Sequence, residues 1–183
     1  MKKIIYTLLL ATLSLFICTS CGTTTQEEKP AAQKETPKQT SKNDAEYERA
    51  TKDLKGETVS RDTYEKDKKI ILEKIDELNV IMESKNYKAW LSYIEPNSIN
   101  YWSQKKNLTA ASKQLPVKGL QLKTLEDYFN YMFIGSRKGR KIDEIRYISS
   151  KSIKAVQVRG DDVVIFYNFK KVNDEWLVEL PQL

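Results

Sequence analysis

The sequence contains no histidine, and its only two cysteines stand at positions 18 and 21. A disulfide-stapled scaffold, a Cys/His zinc site and any histidine-based acid–base pair or triad are therefore excluded. Residues 22–59 are nearly free of apolar side chains; Tyr47, Leu54 and Val59 are the sizeable exceptions. With 183 residues in all, about 120 are left to build one modest core. Neither a metal nor a cofactor is expected.

What is present begins with an address. Lys2 and Lys3 precede an apolar run from Ile4 to Ile17, which is shorter than the roughly twenty residues a transmembrane helix needs and so reads as a secretory signal. The stretch Ile17-Cys18-Thr19-Ser20-Cys21-Gly22 resembles the lipobox of bacterial lipoproteins. In that family the cysteine thiol receives diacylglycerol before cleavage frees its amine for a further acyl chain. Cys21, behind Ser20 and Thr19, fits that role, whereas Cys18 does not; Cys18 itself stands where the family usually has Leu. The resemblance implies residues 1–20 as signal peptide, Cys21 as the lipidation site and the bilayer as a partner, since two or three acyl chains give stable attachment. It places the protein on the cell membrane or the outer membrane, facing periplasm or exterior, and Gly22 leans towards the outer membrane by similarity to enterobacterial sorting.

Residues 21–59 are expected to be a flexible linker, because so little apolar surface cannot offset the entropy of ordering the chain. About 38 such residues would reach roughly 35 Å. A helical tendency from Asp44 to Lys55 carries too thin an apolar stripe to dock. From 60 to 183 there are 22 basic and 17 acidic residues, a mildly basic body.

Ser60 can cap a helix on which Tyr64, Ile71, Ile75, Leu78 and Met82 recur on one face. A second, shorter helix carries Tyr87, Trp90, Leu91 and Ile94 and is closed by Pro96. Asn97 caps a further turn with Ile99, Tyr101 and Trp102. Lys105 to Gly119 reads as a long connection. Thr124-Leu125-Glu126-Asp127 is a capping box opening a helix that Gly135 terminates. Four strands follow, at 142–148, 153–158, 163–169 and 176–180, joined by turn residues as an antiparallel meander. Val163, Ile165, Tyr167 and Phe169 share one face of the third strand, which is apolar on both faces and therefore central. The class is α+β, with helices packed over one face of a curved four-stranded sheet.

That order of elements resembles the nuclear transport factor 2-like, or cystatin-like cone, superfamily. The residues that carry the similarity are the long first helix, Tyr-Lys-Ala-Trp-Leu at 87–91, and a last strand from Val172 to Pro181 with Trp176 after a turn. The similarity spans residues 60–183. Enzymes of the superfamily use acid–base chemistry in the cone, often an Asp with a His or Tyr. Here Asp143, Glu144, Asp161, Asp162, Glu126 and Asp127 all fall at strand starts, turns or a helix start, so a non-enzymatic binding or interaction module is expected. The alternative is a small-ligand carrier or enzyme using the cone.

The many aromatic residues either fill the core or partly line a pocket. Such a pocket would hold Tyr128, Met132, Tyr147 and Phe166. Arg137, Lys138, Arg140 and Lys141 form a basic loop that is either solvated or an anion-binding site for head groups or acidic glycans. Nucleic acid is not an expected partner; another envelope or host-surface component is. Arg159-Gly160-Asp161 resembles integrin-binding loops and equally meets the needs of a tight turn.

Overall fold

The computed structural model of the protein describes residues 42–183. The signal peptide, Cys21 and the first half of the expected linker lie outside the described residues. The described chain is α+β, with helices followed by a four-stranded antiparallel sheet in the order β1-β2-β3-β4.

The stretch expected to remain an undocked linker is folded from residue 42 onward. Helix α1 (Lys42–Thr51) buries Ala50, and Val59 is buried behind it. The Tyr47 hydroxyl donates to the Val59 carbonyl at 2.7 Å, and its ring meets that of Tyr64 edge to face. A few small contacts, tied down by polar ones, do what the thin stripe alone could not.

Helix α2 (Arg61–Glu83) is capped by Ser60, whose hydroxyl accepts from the Thr63 amide. Its buried face is Tyr64, Asp67, Ile71, Ile75, Leu78, Ile81 and Met82, the expected stripe plus one carboxylate. Asn86 caps α3 (Tyr87–Leu91). Pro96 opens α4 (Pro96–Trp102) instead of closing the helix before it, since a proline at the first helical position loses no intrahelical hydrogen bond. The cap is Glu95 and not Asn97: its buried carboxylate accepts from the Ser98 amide at 2.8 Å. The expected connection contains α5 (Lys105–Ser112), which buries Leu108 and Ala111.

The capping box at Thr124 and Asp127 forms as expected and starts α6 (Leu125–Asp127). The helical backbone then widens into a π-helical stretch (Tyr128–Phe133) and returns to α7 (Ile134–Arg137). Gly135 does not end it: its φ is not in the left-handed region, and the helix runs two residues further.

Strands β1 (Glu144–Ser149), β2 (Ser152–Arg159), β3 (Asp162–Val172) and β4 (Glu175–Glu179) pair as a meander, with β3 central. Gly160 and the Asn173-Asp174 pair take positive φ at the two tight turns, the geometry that matches strand twist. The face assignment on β3 differs from the expected one. Ala155 pairs with Tyr167 but Val156 pairs with Ile165, so Phe166 is the extra residue of a β-bulge. The bulge sends Val163 and Ile165 to the face opposite Tyr167 and Phe169, and both are exposed. The inner face, Ile145, Tyr147, Ile153, Ala155, Tyr167, Phe169, Trp176 and Val178, is buried together with the α2 stripe and Trp90, Phe129 and Phe133.

Candidate ligand-binding groove

The four residues expected to share a pocket are divided. Tyr128 and Met132 line one groove of about 460 Å³, together with Leu115, Pro116, Tyr131, Gly135, Arg137 and Pro181. Tyr147 belongs to the core, where its hydroxyl donates to Asp67 Oδ2 at 2.8 Å. Phe166 sits at the bulge and is absent from the groove wall; its carbonyl accepts from Arg137 Nε at 2.9 Å, and its ring lies beneath the Arg140 guanidinium.

The basic loop divides as well. Lys138, Arg140 and Lys141 are exposed, but Arg137 ends α7 and is 9% exposed. Besides the bond to Phe166, its Nη1 donates to the Ser136 hydroxyl at 2.8 Å. Its guanidinium lies over the rings of Phe133 and Tyr167, 4.3 and 5.3 Å from their centroids. No carboxylate of the described residues pairs with it. Burial draws the guanidinium pKa down, while Tyr128 and Tyr167 oppose that shift. The same burial pushes the Tyr167 hydroxyl up to about 12 and raises that of Tyr128, with the charge of Arg137 pulling both back. These tyrosines are neutral at physiological pH, so the arginine is a charge set among apolar and aromatic groups and hydroxyls.

The π-helical stretch shapes this wall. The Ile134 amide bonds to the Phe129 carbonyl five residues back, and π-turns inside α-helices occur frequently at functional sites. Tyr131, half exposed, stands on the rim. Gly135 is an exposed lining residue, and a Cβ added there would meet nothing within 4 Å, so a larger side chain has room.

The buried carboxylate that the sequence did not single out is Asp67, 3% exposed on α2. It accepts from Tyr147 at Oδ2 and, at 3.0 Å, from Trp176 Nε1 at Oδ1. It is a buried carboxyl group held by two ring donors inside the core. The carboxylates considered from sequence have structural partners: Asp127 accepts from the Lys123 and Thr124 amides, Asp143 from the Val158 amide, and Glu144 from Arg49 and Arg146. Those backbone donors hold the Asp127 carboxyl below its ordinary range. In the Arg159-Gly160-Asp161 turn, Arg159 is drawn back onto Gln157. Two other grooves lie elsewhere: one of about 590 Å³ carries Lys105, Lys113 and Lys123, and another of the same size lies between residues 52–55 and the outer sheet face.

Among the described residues, no helix is long and apolar enough to cross a membrane. No family model and no solved structure matches the chain. A protein named "Uncharacterized lipoprotein" from Treponema pallidum (strain Nichols) is 28% identical over 118 residues, which is 64% of this chain. The chain matches 63% of that relative's length. The similarity suggests a bacterial lipoprotein, the class to which the Cys21 motif also points.

Proposed function

We propose that the protein is a lipid-anchored lipoprotein of the bacterial envelope, held through acylated Cys21, whose α+β body is a non-enzymatic binding module with a cystatin-like arrangement. The observation that carries the binding reading is the groove beside α7, backed by a buried arginine that has no counter-charge among the described residues. A buried charge without an ionic partner is costly to maintain, which favours a role at a site over a role in packing. Against catalysis by a cone pocket stands the filling of the space between α2 and the inner sheet face by Tyr147, Tyr167, Phe169 and Trp176. General acid–base work needs a carboxyl within reach of substrate, and both oxygens of Asp67 are engaged inside that filling.

The anchor is tested by detergent phase partitioning of the protein expressed in a bacterial host. The parent is expected in the detergent phase and Cys21→Ser in the aqueous phase; equal partitioning overturns the anchor. The binding role is tested by native mass spectrometry of the full chain from its own host. A retained small molecule supports the carrier form of the role, and turnover of a bound compound to product would overturn the non-enzymatic reading.

A further inference from the structure

We infer that the groove between α7, residues 114–116 and Pro181 is a binding site for a small monocarboxylic acid with an apolar or aromatic body, its carboxylate received by Arg137. The inference rests on the binding-module reading and names the ligand class for the same groove.

The guanidinium is oriented before any ligand arrives. Nε is committed to the Phe166 carbonyl and Nη1 to Ser136, while the rings of Phe133 and Tyr167 hold its plane. Nη2 has no hydrogen-bond partner among the described residues. It is also not one of the sealed, unpartnered polar atoms, which are Trp90 Nε1 and Trp102 Nε1. Nη2 is therefore not sealed off, and Arg137 is one of the residues that line the groove. A guanidinium presents its donors as a planar fork that matches a carboxylate. Fixing it in advance reduces the ordering cost of binding.

The rest of the wall argues for an organic acid over a free inorganic anion. Leu115, Tyr128, Tyr131, Met132 and Pro181 offer carbon surface, and the volume of about 460 Å³ falls in the range of small-molecule sites. One buried cation among neutral walls balances one negative charge. A dianion would bring a second charge with no fixed partner into the same apolar space.

The probe pair is 4-phenylbutyrate and its primary amide, near in shape and different in charge. Each is titrated by calorimetry into the full-length protein in phosphatidylcholine nanodiscs, with empty nanodiscs as the blank. The acid is expected to bind at least tenfold more tightly than the amide. Gly135→Phe puts a ring at a lining position and keeps Arg137 in the sequence, and is expected to weaken the acid at least tenfold, with its thermal melt confirming that it folds. Arg137→Lys keeps the charge but loses the fork, and is expected to narrow the preference for acid over amide. Equal affinity for acid and amide, undiminished acid binding to Gly135→Phe, or no acid binding at millimolar concentration each overturns the ligand class. Inorganic phosphate competing with the acid as well as acetate does would show a general anion site and also overturn it. If the acid fails while another molecule is retained from the native host, the binding-module reading survives and only the class assigned here falls.

Discussion

At the scale of single residues, Asp67 is the buried side chain that links α2 to two strands of the sheet. Its two oxygens take the Tyr147 hydroxyl and the Trp176 indole N–H, tying α2 to β1 and to β4. Removing an acceptor that leaves two buried donors stranded costs more than the net value of the bonds, because the desolvation of the donors is no longer offset. Asp67→Ala is expected to lower unfolding stability by about 3 kcal/mol, and Asp67→Asn, which can still accept from the indole and donate to the phenol oxygen, by about 1 kcal/mol. Urea denaturation of the three proteins checks the order. A Trp comparison sharpens it: Trp176→Phe takes a donor from the carboxylate, whereas Trp90→Phe removes an N–H that has no partner. Trp176→Phe should be the more damaging of the two. Little of this was legible in the sequence. Asp67 occupies the helical face of Tyr64 and Ile71, but charge at one slot of an apolar stripe is commonly read as the edge of the solvated face. Arg137 was hidden in the same way, as one of four basic residues in a run of five.

At the scale of elements, the periodic ones and the short ones marked by caps or turns, such as α3 and α6, were readable, whereas α5 and the irregular features were not. The stripe of α2 and the alternation in the strands are repeated many times, so each residue reinforces the next. A bulge leaves no such signal: Val163, Ile165, Tyr167 and Phe169 alternate in the sequence, and only the pairing with β2 shows that Phe166 breaks the alternation. The π-helical stretch is equally silent, since one extra residue in a turn is indistinguishable from ordinary helical spacing. The helical tendency of α1 was legible but its docking was not, because the helix is held by side-chain bonds to distant partners. Arg49 reaches Glu144 at 2.7 Å, and Arg146 approaches the other oxygen of the same carboxylate. Burial works to raise the Glu144 pKa, but the hydrogen bonds from Arg49 and Arg146 prevail and leave it below the ordinary value. The folded state therefore binds that proton more weakly than the unfolded state does. The resulting stability is present in full above the ordinary carboxylate range, near pH 4.3, and is lost as pH falls through the lowered native value. Because Arg49 is half exposed, the clasp is worth only about 1 kcal/mol. Glu144→Gln should lose about that much at pH 7 and less at a second, acidic pH below the ordinary carboxylate range, as the parent's side chain takes up its proton. Urea midpoints at the two pH values measure it. An equal deficit at both would mean that shape, not charge, holds α1 to β1.

At the scale of the whole molecule, the folded body begins well before the point where strong helical periodicity starts. Residues 42–59 cross the β1 edge of the sheet and touch it on both sides. Tyr47 and Ala50 face the core beside Tyr64, the Glu57 carboxylate accepts from the Ser150 amide, and residues 52–55 wall the groove over the outer sheet face. An edge strand is a row of unpaired backbone groups open to a second chain, and this segment covers β1 with a helix and its following loop. Its own apolar surface is small, so its contribution comes from Ala50, Val59, half-buried Tyr47 and Leu54, and the ion pair to Glu144. A chain that starts at residue 60 should accordingly unfold at a lower urea concentration than one that starts at 42. It should also show faster hydrogen exchange along β1 than along β3, which keeps a neighbour on each side. The comparison separates two accounts of the segment. If it is only a spacer, the two chains share one midpoint and one exchange pattern; if it is part of the body, removing it loosens the sheet from the β1 edge inward and leaves the α7 groove, on other elements, as it was.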